Sequence, residues 1–272
     1  MSESEKSTMA LLPSLLGRIR EQRPLVHHIT NMVVMNDTAN ITLAIGASPV
    51  MAHAREEVEE MVKFAGALVL NIGTLTPEQI EAMLLAGKRA NELGIPIVLD
   101  PVGAGATKLR TESALRLLRE LSITVLRGNA SEIGTLVGVA AETRGVDAVS
   151  LSAERDVVAR RAAHEFSTTV AITGASDVIT DGQRMARVEN GHPLLASITG
   201  SGCMATSLVG AFLAVESDAW FASIAALVAM GRAGEIAAPR AGGPGTFRSH
   251  LLDAVAALSE EALRQGQKVS VA

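Results

Sequence analysis

With 272 residues, 48% of them apolar and only 19% charged, the chain carries enough apolar material for one large layered α/β domain. A net charge of −5, five Phe, one Trp and no Tyr exclude a basic, base-stacking nucleic-acid surface. Cys203 is the single cysteine, which excludes an internal disulfide and makes a reducing, cytoplasmic setting the expectation.

Residues 1–8 are polar, lack the basic start and apolar run of a signal peptide, and read as a disordered leader. Leu11, Leu15 and Ile19 then recur at helical spacing. Met32, Met35 and Met51 read as core filling, and His27 and His28 as polar loop residues, since no zinc-type spacing surrounds them. From Ser48 onward, near-continuous apolar runs read as strands: SPVMA, ALVLNIG, IPIVLD, ITVLRG and TVAITG. Runs apolar on both faces belong in a parallel sheet covered by helices. The intervening segments 55–64, 77–93, 111–121 and 153–166 read as those helices. Thr76, with Pro77 after it and Gln79 at the third position, marks an N-cap. Asp181-Gly182 predicts a hairpin with a tight primed turn. Apolar helices follow over 202–215, 218–237 and 246–261; the longest charge-free apolar run among them, AWFASIAALVAMG, is short for a bilayer span. The pattern predicts a three-layer α/β/α sandwich, one domain over 1–272, with a mainly parallel sheet.

Ligands of such sheets bind beyond the carboxyl ends of the strands. There the sequence gathers Asn71, Asp100, Arg127, Asn129, Glu132 and Thr173. Gly200-Ser201-Gly202 opens an apolar helix, whose free N–H groups and dipole suit an anion such as a phosphate; an ordinary capping turn has the same glycines. Asp100 and Glu132 are hard oxygen ligands of the kind Mg²⁺ takes, directly or through water. Singly, each also suits a turn or a first-turn acid. Arg127 suits a phosphate or a structural ion pair, and Thr173 a phosphate or a strand-end backbone bond.

In this order, the stretches NMVVMNDTANITLAIGASPVMA, VLDPVGAGAT, LRGNASEI, AITGASD, TGSGCMAT and GGPGTF resemble the hydroxyethylthiazole kinase family over about Pro24 to Leu258. The resemblance implies a ribokinase-like fold and ATP-dependent phosphorylation of the primary hydroxyl of methyl-hydroxyethylthiazole, in thiamine biosynthesis or salvage. It implies Mg²⁺, and homotrimers with active sites at subunit interfaces. Residue by residue, it implies that Arg127 and Thr173 contact ATP and that Asp100 and Glu132 organise magnesium. Gly200 and Gly202 would form an anion hole, with Gly200, Met51 and Asn31 bordering the thiazole. The GGPGTF loop is equally a turn with Thr246 as N-cap. Many ribokinase-like kinases place an Asp base just after the Gly-x-Gly, where this chain has Cys203. The expectation is a thiol whose pKa the helix N-terminus lowers, and which orients the substrate hydroxyl. Kinases of hydroxymethylpyrimidine or pyridoxal, and a non-catalytic ligand-binding relative, are the alternative readings.

Overall fold

The computed structural model describes residues 3–139 and 148–271. Six parallel strands come first: β1 (Leu25–Ile29), β2 (Ser48–Val50), β3 (Ala67–Asn71), β4 (Ile97–Asp100), β5 (Val125–Asn129) and β6 (Thr169–Thr173). Then β7 (Asp177–Thr180), β8 (Met185–Val188) and β9 (Val269–Val271) add on antiparallel. All join one sheet in the order β2-β1-β3-β4-β5-β6-β7-β8-β9. The helices are α1 (Glu3–Gln22), α2 (Met35–Ile45), α3 (Val58–Val62), α4 (Pro77–Leu93), α5 (Lys108–Glu120) and α6 (Ala130–Leu136). They continue with α7 (Ala148–Phe166), α8 (Ser201–Leu213), α9 (Ala219–Ala237), α10 (Pro244–Ala257) and α11 (Glu260–Gly266).

Strand alternation divides the core in two. Val26, Val69, Val98, Val125 and Ala171 point to a layer built by α1, α2 and α8–α11. Leu68, Leu70, Leu99, Leu126 and Ile172 point to a layer built by α3–α7. The three-layer expectation stands. Helix α9 and the short helix after it are long and apolar enough to cross a membrane by length and composition, yet 78% of the most apolar window is buried in the fold.

Several local expectations need correction. Helix α1 begins at Glu3, inside the stretch read as a disordered leader. Glu and Lys are good helix formers, and acidic residues suit a first turn, so low hydrophobicity alone misled there. Helix α3 is one short turn, not the span 55–64. The hairpin loop covers residues 181–184, because Asp181 Oδ1 accepts from the N–H groups of Gln183 and Arg184 and holds a wider turn. Thr76 does cap α4, but the Gln79 amide donates to Thr30 O at 2.8 Å instead of closing a capping box. Helix α10 starts at Pro244 with Gly243 at its N-cap, so Thr246 lies inside it and bonds Gly242 N and Gly243 O.

The largest correction concerns His27 and His28, which lie fully buried in β1, between β2 and β3. His27 Nε2 meets Ala52 O at 2.8 Å, and His28 Nε2 lies 3.4 Å from Thr42 Oγ1. A neutral imidazole with one such partner is a tolerable core residue. Burial, with His27 and His53 adding to it, pushes the His28 pKa down to about 3. The unfolded chain therefore binds a proton below its ordinary value of 6.5 that the folded chain refuses, and stability falls as pH drops through that window. In urea titrations at pH 7 and pH 4, the midpoint of a folded His28→Leu variant should drop less between the two than that of the parent chain.

Candidate active site

Because Val69, Val98, Val125 and Ala171 face the α8 layer, the residues two further on face it as well. Those are Asn71, Asp100, Arg127 and Thr173, all near the carboxyl ends of neighbouring strands. The β3–β4 register sets Asn71 directly beside Asp100. Asp100 is fully buried, and its Oδ2 accepts from Thr206 Oγ1 at 2.7 Å and from Asn71 Nδ2 at 3.0 Å. The same oxygen lies 3.5 Å from Arg127 Nη1, while Asp100 Oδ1 and Arg127 Nε are buried with no hydrogen-bond partner among the described residues. Arg127 Nη2 also donates to Thr173 Oγ1.

Helix α8 enters this network from above. Its N-cap is Gly200, in the left-handed conformation at φ +83°, and no side chain caps it. Gly202 sits under Arg127: a Cβ there would lie 2.7 Å from Nη1. A Cβ on Gly200 would instead lie 2.6 Å from Val34 Cγ1, on the opposite flank of the turn. The first N–H groups of α8 therefore open between two walls, one carrying Arg127 and Thr173, the other carrying the segment of Asn31 and Val34. A cleft of about 570 Å³ lies on the Arg127 side, lined by Thr173, Gly174, Asp177, His192, Ser201 and Gly202 among others. That volume suits a small-molecule ligand. A wider depression of about 870 Å³ lies at the opposite end of the sheet, beside Gly66, Pro96 and Thr124. It holds none of these groups.

Cys203 is buried beneath the turn, with Asn71 Nδ2 at 3.2 Å and Asn31 Nδ2 at 3.6 Å from its sulfur. Burial, and after it the Asp100 charge, push the thiol up to about 11, outweighing the amide donors and Arg127. The expectation that the helix N-terminus lowers this thiol is corrected: one end of a dipole does not offset lost hydration and a nearby carboxylate. Burial likewise raises Asp100 to about 6 against the pull of Arg127, and raises Asp177 on the cleft wall to about 6.

Glu132 is not a freely solvated acid. It closes a capping box with Asn129 at the start of α6, and its other oxygen accepts from Gly103 N at 2.8 Å. It thereby fixes the loop after Asp100. Arg110 braces that loop from the far side, donating to Val102 O and Gly73 O, both at 2.8 Å.

A sequence model of the hydroxyethylthiazole kinase family matches residues 16–261. A hydroxyethylthiazole kinase from Desulforudis audaxviator is 58% identical over 254 residues, spanning 93% of each chain. One from Chloroflexus aurantiacus is 56% identical over 259 residues, spanning 95% of this chain and 96% of the relative. The chain belongs to the hydroxyethylthiazole kinase family. A solved hydroxyethylthiazole kinase protein from Pyrococcus horikoshii matches with a TM-score of 0.90 at 48% identity, covering 96% of this chain and 99% of that one. The pyridoxal kinase from Staphylococcus aureus, at 16% identity, covers 78% of this chain and 87% of its own with a TM-score of 0.59. That likeness shows the shared ribokinase-like fold.

Membership of the hydroxyethylthiazole kinase family implies ATP as co-substrate. Of the residues singled out in the sequence, Asn31, Asp100, Arg127, Thr173, Gly200, Gly202 and Cys203 come together around the turn. Glu132 joins through Gly103, and Met51 stands half-buried just past β2. Asn71 was placed at the ligand edge of the sheet without a role, and Thr206 and Arg110 were missed as site residues. Asn71 had a legible signal, an amide ending an otherwise apolar strand. Thr206 had a weaker one, three residues beyond Cys203 on α8.

The raised Asp100 pKa has a consequence for stability. Ionised in the fold it costs about 3 kcal/mol above pH 6, and nothing once pH falls below its unfolded value of 3.8. With chelator present, Asp100→Asn should gain about 2 kcal/mol at pH 8 in denaturant titrations and close to none at pH 4.

Proposed function

We propose that the protein transfers the γ-phosphoryl group of ATP to the primary hydroxyl of methyl-hydroxyethylthiazole, serving thiamine biosynthesis or salvage. The observation that carries this reading is the uncapped start of α8, set between Arg127 on one flank and Val34 with Asn31 on the other. ATP enters from the Arg127 and Thr173 cleft, where guanidinium and hydroxyl meet its phosphates. The alcohol enters from the other flank, bordered by Asn31, Met51 and Gly200. The N–H groups of the Gly200–Gly202 turn then face the moving phosphoryl oxygens, where preformed donors stabilise developing charge.

Magnesium fits this arrangement. The buried, unpartnered Asp100 Oδ1 suits a magnesium-bound water. Both Glu132 oxygens already accept backbone N–H bonds, so Glu132 contributes charge and holds the loop in place. When bound, the ion neutralises charge on the ATP phosphates. The trimer reading is supported by Met32, which is exposed and not the core filling expected of it, with Val33 beside it and Leu43 on α2. A second copy covering them would complete the thiazole flank, and cytoplasmic placement accords with the single free thiol.

Cys203 acts as an orienting group. A thiol held near 11 is neutral at physiological pH and offers no ready base. A loose phosphoryl-transfer transition state requires little prior proton removal, so positioning the hydroxyl supplies most of the rate.

Mass-spectrometric assays with ATP and magnesium should show phosphate gained by the thiazole alcohol and by neither hydroxymethylpyrimidine nor pyridoxal. Transfer to another alcohol would overturn the substrate assignment; no transfer at all would overturn the enzyme reading. Cys203→Asp should keep or exceed the parent kcat, because a carboxylate suits the amide donors of Asn31 and Asn71. An inactive, folded Cys203→Asp protein would show that the thiol does more than orient.

A further inference from the structure

The amide orientations of Asn31 and Asn71 are set by the backbone, and this determines what Cys203 meets. Val33 N donates to Asn31 Oδ1 at 3.1 Å, so the Asn31 Nδ2 must point the other way. Gly73 N donates to Asn71 Oδ1 at 2.9 Å, and Asn31 Nδ2 reaches the same oxygen at 2.8 Å. Asn71 Nδ2 is thereby turned to the sulfur at 3.2 Å and to Asp100 Oδ2 at 3.0 Å. Flipping either amide would set oxygen against oxygen on one side and N–H against N–H on the other. The sulfur thus confronts two N–H donors, and its own S–H can be directed at neither amide.

We infer that Asn71 is a positioning residue of the phosphoryl-transfer site, its single amide group fixing both the Cys203 sulfur and the Asp100 carboxylate beneath the Gly200–Gly202 turn. This rests on the functional reading above and assigns a residue to it. One donor group shared between thiol and carboxylate ties the two side chains to a single anchor on β3. It also leaves the S–H free for the face of the sulfur away from both asparagines. Asn71 does not line the cleft on the Arg127 side, and it reaches the ATP side only through Asp100. The charged groups acting on the thiol are Asp100 from β4 and Arg127 from β5.

The test uses Asn71→Asp and Asn71→Leu. Asn71→Asp keeps the size and the acceptor for Gly73 N while removing the donor toward sulfur. Asn71→Leu removes the polar group without adding charge. Since Cys203 is the only cysteine, iodoacetamide reports on it alone. Without the donor the thiolate is less populated, so alkylation at pH 8 should slow about tenfold in both variants. The kcat for thiazole phosphorylation should fall about 10²-fold, with KM for ATP within about threefold of the parent. Alkylation or kcat left at the parent value in a variant with unchanged circular dichroism overturns the proposal, as does a KM for ATP that rises in step with the loss of rate. If the parent protein phosphorylates no thiazole alcohol, the functional reading falls by itself. The alkylation ratio then still decides whether Asn71 holds the thiol.

Discussion

The pairing of β3 with β4, which sets Asn71 beside Asp100, is the constraint on which the rest of the site depends. Parallel strands in register turn paired residues to the same face, here the face covered by α8. One amide and one carboxylate at the ends of adjacent strands then reach Thr206 and Cys203 on that helix. The helix start is fixed in turn, with Gly200 and Gly202 touching opposite walls. A slip of one residue in this pairing would send Asp100 into the α3–α7 layer and leave the helix end without its partner.

Electrostatically the site is costly to fold. Asp100 is held in a place that favours its protonated form, and Arg127 only partly offsets this. Cys203 is kept neutral by the same burial. Polar groups left short of partners, such as Asp100 Oδ1 and Arg127 Nε, are what a protein retains when a ligand is to supply the missing contacts. The cost is carried by the two apolar layers, packed on both faces of the nine-stranded sheet.

Support for the loops comes from outside the reacting neighbourhood. Glu132 and Arg110 grip the segment after β4 from two sides, one through backbone N–H groups and the other through carbonyls. Glu132 shows how a motif acid can be read by composition as a metal ligand while its oxygens are already committed to backbone donors. Its charge still reaches Asp100, which is why the two belong to one electrostatic unit.

Local pattern alone gives the layer class, the strands β2 to β6, the hairpin, and most of the residues around the turn. Near-continuous apolar runs and polar strand ends are local signals, readable without knowing what lies opposite. It missed β1, because two histidines break the apolar run and only burial on both faces keeps them neutral within it. It missed β9 and α2 as well, since three residues added at a sheet edge and a polar-speckled helix carry little periodic signal. The direction of the Cys203 shift also lay beyond it. A helix start predicts a lowered thiol, whereas burial and Asp100, some hundred positions away in sequence, raise it. Only the packed fold settles that, because a pKa and an amide's orientation are set by neighbours in space, and for Cys203 those neighbours come from β3, β4, β5 and the loop after β1.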